Sequence, residues 1–503
     1  MIKPIQVLLT LLAIGLLCIL TMLVFPERGI ALSNDLVLHF PKVESLFEED
    51  SAGTVFNVDS LLNSYAQQAD SAAINDSIVA YKTKERQKVL RLQYAKPKAY
   101  LPHFFQSLAD LKSGKRRKVR ILHYGDSQIE GDRITSFIRE KLQAEFGGSG
   151  PGMLPAKEFI PNMSITQTQS DNWIRYTVFG KRDTTVRHNR FGLRGIYSRF
   201  TPNRTDTNLA NYPVTTAWVE LKPSRVGYSH VKQFRVLRMH YGHNKTPVFL
   251  KVIVDGIAVA TDTLAANNRS AILEWVVNAT PKSIRLEFIG RDSPDIYALS
   301  LEDTRGIVMD NIAMRGSSGT IFSKIDRQQL AFQYDSEPIT LVLLQFGGNT
   351  VPYIKDENAA EKYGKWFAGH IAYLKRLLPN ADFVLLGPSD MSIKEQTDFV
   401  TYPFLPEVRD ALKKAAFDEG AAFWDIYEVM GGHNSMPSWV AADPPLAGPD
   451  YIHFTPRGAR KVAELFYKSL SEDYKAYITK VKSQKQTEDT VQTSNTNLPN
   501  DTI

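Results

Sequence analysis

The chain has 503 residues, of which 43% are hydrophobic and 23% are charged. This composition is typical of a folded globular protein and excludes a chain that is disordered throughout. The net charge of +6 is small for the length and does not indicate nucleic-acid binding, which needs basic residues clustered on one face. The one cysteine, Cys18, lies in an apolar N-terminal stretch, so we expect neither a disulfide nor a cysteine-bound metal in the rest of the chain.

The N-terminal stretch is the main signal for the cellular compartment. An apolar run from Ile5 to Phe25 follows Lys3 and is long enough to cross the hydrocarbon core of a bilayer. It is longer than the apolar part of a cleavable signal peptide, and no small-residue cleavage site directly follows it. We therefore predict an uncleaved transmembrane anchor at 1–26, with cleavage and secretion as the alternative. In both cases the remainder is expected in the periplasm or cell envelope of a bacterium.

The next segment, 27–117, has a mixed and mostly polar character. We predict a stalk here that leads into a helical linker, because apolar residues recur at helical spacing between 86 and 113. Pro97 and Pro102 are expected to break this pattern, leaving one or two helices.

An α/β unit is predicted from 118 onward. Val119–Tyr124 has the composition of a buried strand, and the turn sequence Gly125-Asp126-Ser127 follows it. A helical pattern then runs from about 133 to 146. Strand, tight turn and helix in this order are typical of the start of an α/β domain.

From 153 to 310 the pattern changes to short strands in succession, which predicts an inserted β-sandwich of the jelly-roll kind. Asp255-Gly256 between two of these strands is typical of a hairpin turn. The predicted strands are Trp173–Phe179, Thr216–Leu221, Phe234–Tyr241, Phe249–Val254, Ile257–Asp262, Ala271–Val277, Ser283–Ile289 and Ile296–Leu301.

The α/β pattern returns after the insertion. Ile339–Phe346 is a continuous apolar strand of the kind found in a parallel sheet that is covered on both faces. Strands are also predicted at Asp382–Leu386 and Ala422–Tyr427, and helices at 358–378, 407–419 and 456–470. The predicted fold is an α/β domain, made of 118–152 and 311–476, that the sandwich interrupts. Residues 477–503 are polar and are predicted to be a disordered tail.

Four short segments carry polar residues or glycine where these strands end. Ser127 follows the first strand and Asn349 follows the long apolar strand, at the sheet edge where open α/β sheets bind ligands. Asp450 and His453 lie close together before the last helix. A serine, a histidine and a carboxylate can form a triad for ester hydrolysis. A glycine N–H, for which Gly319 is the candidate, and an asparagine amide can stabilise the oxyanion.

Together and in this order, the segments resemble the motif blocks of the SGNH (GDSL-type) hydrolase family. GDSQ at 125–128, GGNT at 347–350 and DYIH at 450–453 match the first, third and fifth blocks. The segment from Gly316 to Gly319 is similar to the second block, and within it we favour Gly319 over Gly316. The resemblance implies a three-layer α/β/α domain with a parallel sheet.

The resemblance also implies a role for each candidate residue. Ser127 would be the nucleophile, and His453 would be the base that Asp450 orients. The N–H groups of Ser127 and Gly319 and the side-chain amide of Asn349 would hold the oxyanion. The family chemistry needs no cofactor and no metal.

The inserted sandwich indicates which subfamily the chain resembles. It and the sequence texture before the fifth block are similar to the subfamily of bacterial peptidoglycan O-acetylesterases, whose inserted domain resembles a carbohydrate-binding jelly roll. Two departures stand out, because Thr320 and Thr350 occupy positions where the family often has aspartate. Both leave the oxyanion donors intact but weaken any inference about the substrate.

Several polar residues near these motifs have a plainer interpretation. His123 lies within the first strand and is expected to be a core residue or a neighbour of the site rather than the base. Asp126 is expected to hydrogen-bond the backbone of its turn. Asp443 is an alternative to Asp450, although its separation from His453 fits less well.

Other residues keep two interpretations. His433 and Asn434 either line the pocket or belong to a loop. The sandwich aromatics Trp218, Trp275 and Tyr241 either stack on sugars or belong to the core.

We therefore predict an exported serine esterase that removes O-acetyl groups from a cell-envelope polysaccharide, with peptidoglycan as the leading candidate. The alternatives are an O-acetyltransferase that uses the same triad, a non-catalytic glycan-binding protein, and a lipase or thioesterase. The sequence has neither an HExxH-like metal motif nor a glycine-rich phosphate loop, so neither a metal nor a nucleotide is expected. The predicted partner is an O-acetylated glycan, with no nucleic acid and a single membrane anchor.

Overall fold

The computed structural model describes the backbone of residues 30–33, 36–38, 88–97, 99–204 and 208–496, and side chains from 88 to 484 within these ranges. The predicted anchor at 1–26 and the stalk from 39 to 87 lie outside the described residues. In the described part of the chain, no helix is long and apolar enough to cross a membrane.

The chain divides into two units, Met1–Ser71 and Ala72–Ile503. In the first unit the structure describes one antiparallel pair, β1 (Ile30–Ser33) and β2 (Leu36–Leu38). The strands of the second unit are β3 (Lys118–Gly125), β4 (Gly152–Leu154), β5 (Ile165–Gln169), β6 (Ile174–Thr177), β7 (Ile196–Arg199), β8 (Thr215–Pro223), β9 (Val236–Asn244), β10 (Val248–Val254), β11 (Ile257–Leu264), β12 (Asn267–Val276), β13 (Ile284–Gly290), β14 (Asp295–Glu302), β15 (Gly306–Ala313), β16 (Ile339–Gln345), β17 (Asp382–Leu386), β18 (Ser392–Glu395), β19 (Asp398–Thr401) and β20 (Ala422–Trp424). Its helices are α1 (Pro102–Lys112), α2 (Thr135–Phe146), α3 (Arg327–Asp335), α4 (Glu357–Leu377), α5 (Leu405–Asp418), α6 (Ile426–Met430), α7 (Met436–Val440) and α8 (Pro456–Thr496).

A five-stranded parallel sheet in the order β15-β3-β16-β17-β20 forms the centre of the α/β part. β16 is buried along its whole length, as its continuous apolar sequence predicts for a strand with helices on both faces. Val342 and Leu344, which point to one face, share a core with residues of α4 and α5. α1, α2 and α8 contact one another, and α1 and α2 pack on the sheet. This is the mixed α/β architecture with a parallel sheet that the sequence predicts.

The inserted segment forms two antiparallel sheets that share one core. Their orders are β11-β10-β13-β8-β5 and β12-β9-β14-β7-β6, with β4 also paired to β14. Leu250 and Leu286 of the first sheet and Met239 and Leu299 of the second belong to the same buried cluster. All eight strands predicted here are present, and β4, β5 and β7 are short strands that were not predicted. The hairpin between β10 and β11 turns at Asp255-Gly256, where both residues have positive φ.

Two predicted boundaries need correction. The parallel sheet resumes with β15 at Gly306, inside the range predicted for the sandwich, because strand periodicity does not distinguish parallel from antiparallel pairing. α8 continues to Thr496 instead of giving way to a disordered tail at 477. A helix that is already nucleated propagates easily, and neither proline nor glycine interrupts the sequence from 459 to 496.

The helical linker predicted before the first parallel strand packs against the sheet in its described part. Gln93 forms a β-bridge with Phe423 next to the sheet, and the Trp424 indole donates to the carbonyl of Leu90 at 3.2 Å. Phe104, near the start of α1, is fully buried. Pro102 begins α1, where its missing N–H costs nothing, and α1 packs on the α/β part.

A single buried arginine connects the parallel sheet to the sandwich. Arg120 on β3 has no exposed side-chain surface. Its guanidinium lies 2.9 Å from Asp310 of β15, 2.8 Å from Glu302 of β14 and 2.8 Å from Glu337, which precedes β16. A buried guanidinium requires such carboxylate partners. The cluster therefore holds β3 against its two neighbours, β15 and β16.

We expect Arg120→Met to lower the free energy of unfolding by about 3–5 kcal/mol, because it leaves the buried carboxylate of Asp310 without a cation. Arg235→Met is the control, since Arg235 pairs with Asp303 on the surface and such exposed pairs contribute below about 1 kcal/mol. Urea unfolding measures both values. Similar losses for the two variants would contradict the role given to Arg120.

Candidate active site

The carboxyl ends of three parallel strands meet at one edge of the sheet. Gly125, the last residue of β3, pairs in register with the last residues of β15 and β16. The loops that follow these strands therefore start at the same level. They bring together Ser127, Gly316 and Asn349, which line one cavity.

Ser127, His453 and Asp450 form a hydrogen-bonded chain. The Ser127 Oγ lies 2.8 Å from Nε2 of His453, and Nδ1 of His453 lies 2.7 Å from Oδ2 of Asp450. A carboxylate at Nδ1 keeps the proton on that nitrogen, so Nε2 is free to accept from the serine hydroxyl. The structure thus brings together the three residues predicted for a triad.

Asp450 is held by its own turn. Its Oδ1 accepts the N–H groups of Ile452 at 3.1 Å and His453 at 3.0 Å. Burial alone would raise the pKa of Asp450, but the hydrogen bonds from the side chain and backbone of His453 outweigh it and lower the pKa below its ordinary value. The carboxylate is therefore ionised at neutral pH and can accept a hydrogen bond from the Nδ1–H of His453.

The turn that carries Asp450 and His453 is supported from outside. Tyr451 has a positive φ of 56°, which is uncommon for a residue other than glycine. Its ring stacks on Phe399 of β19 with a centroid distance of 3.6 Å and an interplanar angle of 4°. Its carbonyl accepts the N–H of Ser392 at 2.9 Å. The β18–β19 hairpin thereby stabilises the turn.

Two side chains that sequence reasoning missed join the serine loop to the histidine loop. Gln128 donates to the carbonyl of Ile452 at 2.6 Å and accepts the N–H of Phe454 at 3.3 Å. Arg133 donates to the carbonyls of Ser127 at 2.7 Å and Phe454 at 2.9 Å. The partners are distant in sequence, so the only available signal was the position of Gln128 directly after the serine.

The loop after β15 contains the glycine that the sequence assigned incorrectly. The N–H of Gly319 donates to Ser317 Oγ at 3.1 Å, and a Cβ added there would lie 2.6 Å from Phe367. Gly316 instead lines the cavity beside Ser127. Its N–H has no hydrogen-bond partner among the residues that the structure describes. The candidate oxyanion glycine is therefore corrected from Gly319 to Gly316.

The side chains of Asn349 and Asp126 are hydrogen-bonded neighbours close to Ser127. The Asn349 amide donates to the carbonyl of Ser317 at 3.3 Å. Asp126 accepts the N–H of Gln128 at 3.0 Å, as predicted for a residue that stabilises its turn. Burial raises the pKa of Asp126 to about 6, although a hydrogen bond from Asn349 and the charge of His453 oppose the shift. The Asp126 carboxyl thus helps to orient the Asn349 amide.

His123 is a buried core residue, as predicted. Its ring nitrogens lie 2.9 Å from Thr135 Oγ1 and 3.2 Å from Gln345 Oε1. Burial lowers the pKa of His123 to about 3, so the ring is neutral and does not act as the base of the triad.

The remaining candidates lie elsewhere. Asp443, His433 and Asn434 do not line the cavities around Ser127. Asn434 exchanges two hydrogen bonds with Thr401, at 2.7 and 2.8 Å, and so has a loop role. Within the described residues, no group of three or more histidine, cysteine or acidic side chains could hold a metal ion.

Two of the three sandwich aromatics have the predicted core role. Tyr241 and Trp275 pack against the sandwich core. Trp218 lies outside it, with the guanidinium of Arg285 4.1 Å from its ring centroid.

A cleft with two arms lies over Ser127 and His453 of the triad. The apolar arm has a volume of about 290 Å³, and the charged arm has a volume of about 600 Å³. Both arms contain Ser127, Gly316, Asn349 and His453. The apolar arm is lined further by Phe346, Pro352, Tyr353, Pro388, Met391 and Ile452, and the charged arm by Glu130, Arg133, Ile160, Pro161, Met163 and Arg315. The residues from 160 to 163 lie between β4 and β5, so the insertion borders the charged arm.

We expect Gly319→Ala to destabilise the fold more than Gly316→Ala. Both glycines have positive φ, +78° and +74°, so alanine costs about 1–2 kcal/mol at either position. At Gly319 the added methyl group also overlaps Phe346 and Phe367, at a further cost of about 1–3 kcal/mol. Urea unfolding measures the difference, and equal free energies of unfolding would contradict the packing of this loop.

No family model matches the chain, and no curated protein sequence matches it. Among solved structures, a peptidoglycan O-acetylesterase aligns with a TM-score of 0.58 and 23% identity, covering 77% of this chain and 99% of that chain. A salicylyl-acyltransferase from a tetracycline biosynthetic pathway aligns with a TM-score of 0.27 and 14% identity, covering 63% of this chain and 95% of that chain. A family two carbohydrate esterase from Clostridium thermocellum has a TM-score of 0.24 at 11% identity, covering 55% and 97%.

The first of these alignments extends over almost all of the solved chain, and it agrees with the motif blocks at the ends of β3 and β16. The chain therefore has the fold of an SGNH hydrolase, as its motifs indicate.

Proposed function

We propose that this protein is a serine esterase that removes O-acetyl groups from a polysaccharide, with peptidoglycan as the leading candidate. The observation that carries the proposal is the chain of hydrogen bonds from Ser127 through His453 to Asp450 in an open cleft. This arrangement matches the requirements for nucleophilic attack on an ester. The fold shared with a peptidoglycan O-acetylesterase supports the choice of substrate.

The first half-reaction transfers the acetyl group to the enzyme. His453 Nε2 takes the proton of Ser127 as Oγ attacks the acetyl carbonyl, and Asp450 stabilises the resulting imidazolium. The N–H groups of Ser127 and Gly316 and the amide of Asn349 are placed to hold the oxyanion. As the ester bond breaks, His453 returns the proton to the sugar oxygen, which leaves as an alcohol.

The second half-reaction releases acetate. His453 takes a proton from a water molecule, which attacks the acetyl-serine, and the proton returns to Ser127 Oγ as the acetate leaves. The side chains of His453 and Asp450 are 36% and 49% exposed, so water reaches the acetyl-enzyme readily. This exposure favours hydrolysis over transfer to a second sugar, which needs water to be excluded.

The shape of the cleft supports a polymeric substrate. The charged arm is open and large enough for sugar rings, and the insertion forms one of its borders. We further infer that the protein is exported and anchored at the cell envelope, because the sequence from Ile5 to Phe25 has the length and composition of a membrane span. A cell-envelope glycan would then be the accessible substrate.

We expect the purified protein to release acetate from O-acetylated peptidoglycan and from p-nitrophenyl acetate, and Ser127→Ala to lose about 10⁴-fold or more of both rates. Ser113→Ala, at an exposed serine after α1, is the control that should retain activity. Acetate is quantified by an enzyme-coupled assay.

Each other outcome points to a different function. Serine-dependent cleavage of p-nitrophenyl acetate alone would argue against peptidoglycan. Acetyl transfer to an added glycan acceptor, faster than acetate release, would indicate the O-acetyltransferase. No serine-dependent activity on either ester would contradict the esterase and favour a glycan-binding protein.

We expect Asn349→Ala to lower kcat by about 10²–10³-fold with little change in KM, because its amide is needed only when the oxyanion forms. Asn358→Ala, at an exposed position near the start of α4, is the matched control. Steady-state kinetics with p-nitrophenyl acetate measures both variants. A rise in KM without a fall in kcat would place Asn349 in substrate binding instead.

A further inference from the structure

A small pocket adjoins the charged arm of the cleft. Its volume is about 40 Å³, and since one water-sized occupant needs about 10–15 Å³, it has room for roughly three non-hydrogen atoms. It shares Glu130, Gly131, Ile160 and Arg315 with the charged arm, so the two spaces are adjacent. We call it the arginine pocket because it is lined by Arg139, Arg175, Arg194 and Arg315.

Carboxylates neutralise three of these four arginines. The ion pairs are Arg139 with Asp132 at 2.6 Å, Arg175 with Glu158 at 3.2 Å, and Arg315 with Glu130, whose Oε2 is 3.0 Å from Nε. These are also the three carboxylates that line the pocket. Four guanidinium groups against three carboxylates leave one positive charge in excess, and that charge is on Arg194.

Arg194 is buried, with 7% of its surface exposed, and it is only partly hydrogen-bonded. Its Nη1 donates to the carbonyls of Met153 at 2.7 Å and Asn311 at 2.9 Å. Its Nε is buried without a partner, and its Nη2 makes no hydrogen bond to any residue that the structure describes. Burial lowers the pKa of Arg194, yet a guanidinium remains protonated in proteins.

A buried cation with no carboxylate at ion-pair distance among the described residues needs an explanation, even though the charges of Glu158 and Asp310 oppose the effect of burial on the pKa of Arg194. Buried charges are paired in nearly all native structures, because desolvation is costly without a counter-charge. The two carbonyls account for only one nitrogen of a group that carries five N–H donors. The remaining donors are therefore available to an anion that enters from the cleft.

We propose that the arginine pocket binds a carboxylate of the substrate, so that the enzyme acts on acidic sugars in which a carboxylate lies near the acetyl ester. The inference rests on the proposed function and names its substrate class. A carboxylate has three non-hydrogen atoms and two oxygens in one plane, which fits the volume of the pocket and the planar fork of a guanidinium. N-Acetylmuramic acid whose lactyl carboxyl is free belongs to this class, whereas N-acetylglucosamine has the same ring without the acid.

The first test compares two substrates that differ only in the lactyl group, namely O-acetylated N-acetylmuramic acid and N-acetylglucosamine with the acetyl on the same ring oxygen. We expect the acidic sugar to have a kcat/KM that is higher by roughly tenfold or more, as for a hydrogen-bonded ion pair. Methyl esterification of the lactyl carboxylate should remove the preference. A ratio near one between the two sugars would overturn the inference.

Three variants test whether the preference for the acidic sugar depends on the arginine pocket. Arg194→Gln is shorter and loses the charge while keeping an amide donor, and it should bring the ratio of kcat/KM values close to one. Arg315→Gln should lower the ratio as well, and its side chain is 63% exposed, so this variant provides a test that does not depend on the folding of Arg194→Gln. Arg269→Gln makes the same charge change at an exposed position of β12 and should leave the ratio as it is. An unchanged ratio in both pocket variants would overturn the inference.

A binding measurement separates this inference from the proposed function. Ser127→Ala protein is titrated calorimetrically with N-acetylmuramic acid and with its methyl ester, and we expect the acid to bind roughly tenfold more tightly. Equal affinities would overturn the inference whether or not the protein is an esterase. Serine-dependent acetate release without a preference for the acid would overturn the inference alone and leave the esterase standing.

Discussion

The geometry of the site depends on the register of β3 with its two parallel neighbours, β15 and β16. The fully buried guanidinium of Arg120 meets carboxylates from β15, from β14 and from the segment before β16, so the four chain segments cannot slide independently without exposing or orphaning a charge. Because this register is held at one end of the strands, their other ends are level. Ser127, Gly316 and Asn349 therefore reach the same cleft, although the whole sandwich lies between the first and second of them in sequence.

Much of this arrangement follows from local sequence patterns. The apolar run of β16, the turn after β3 and the alternation in the sandwich strands are short-range features, and periodicity alone predicts them. The same holds for Asp450 and His453, which are close in sequence, so a single turn brings both to the serine. Asn349 was predictable because it directly follows a strand whose burial is evident from composition. In each case, one strand end and one motif were sufficient to predict where the residue lies.

The predictions that failed depend on contacts between distant segments. Gly316 and Gly319 belong to the same loop, and only the packing of Gly319 against Phe346 and Phe367 shows which glycine faces the cavity. Gln128 and Arg133 have no signal of their own, because their partners on the histidine loop come from the other end of the chain. The packing of the helical linker before β3 was not predictable for the same reason, since its contacts are with β20 and α8. Spacing along the chain contains none of this information.

The sandwich has a further consequence for selectivity. Arg194 reaches the arginine pocket from the insertion, yet its Nη1 donates to the carbonyl of Asn311 on β15, the strand whose following loop carries Gly316. β15 therefore positions Arg194 through this hydrogen bond and leads directly into the loop that carries Gly316. If a substrate carboxylate occupies the pocket, the distance from that carboxylate to the reacting ester is set by the packing of β15 and not by the flexibility of a side chain. Such a site distinguishes sugars by the spacing between acid and ester as well as by charge, so moving the acetyl group around the ring would impair the fit even when the carboxylate is kept.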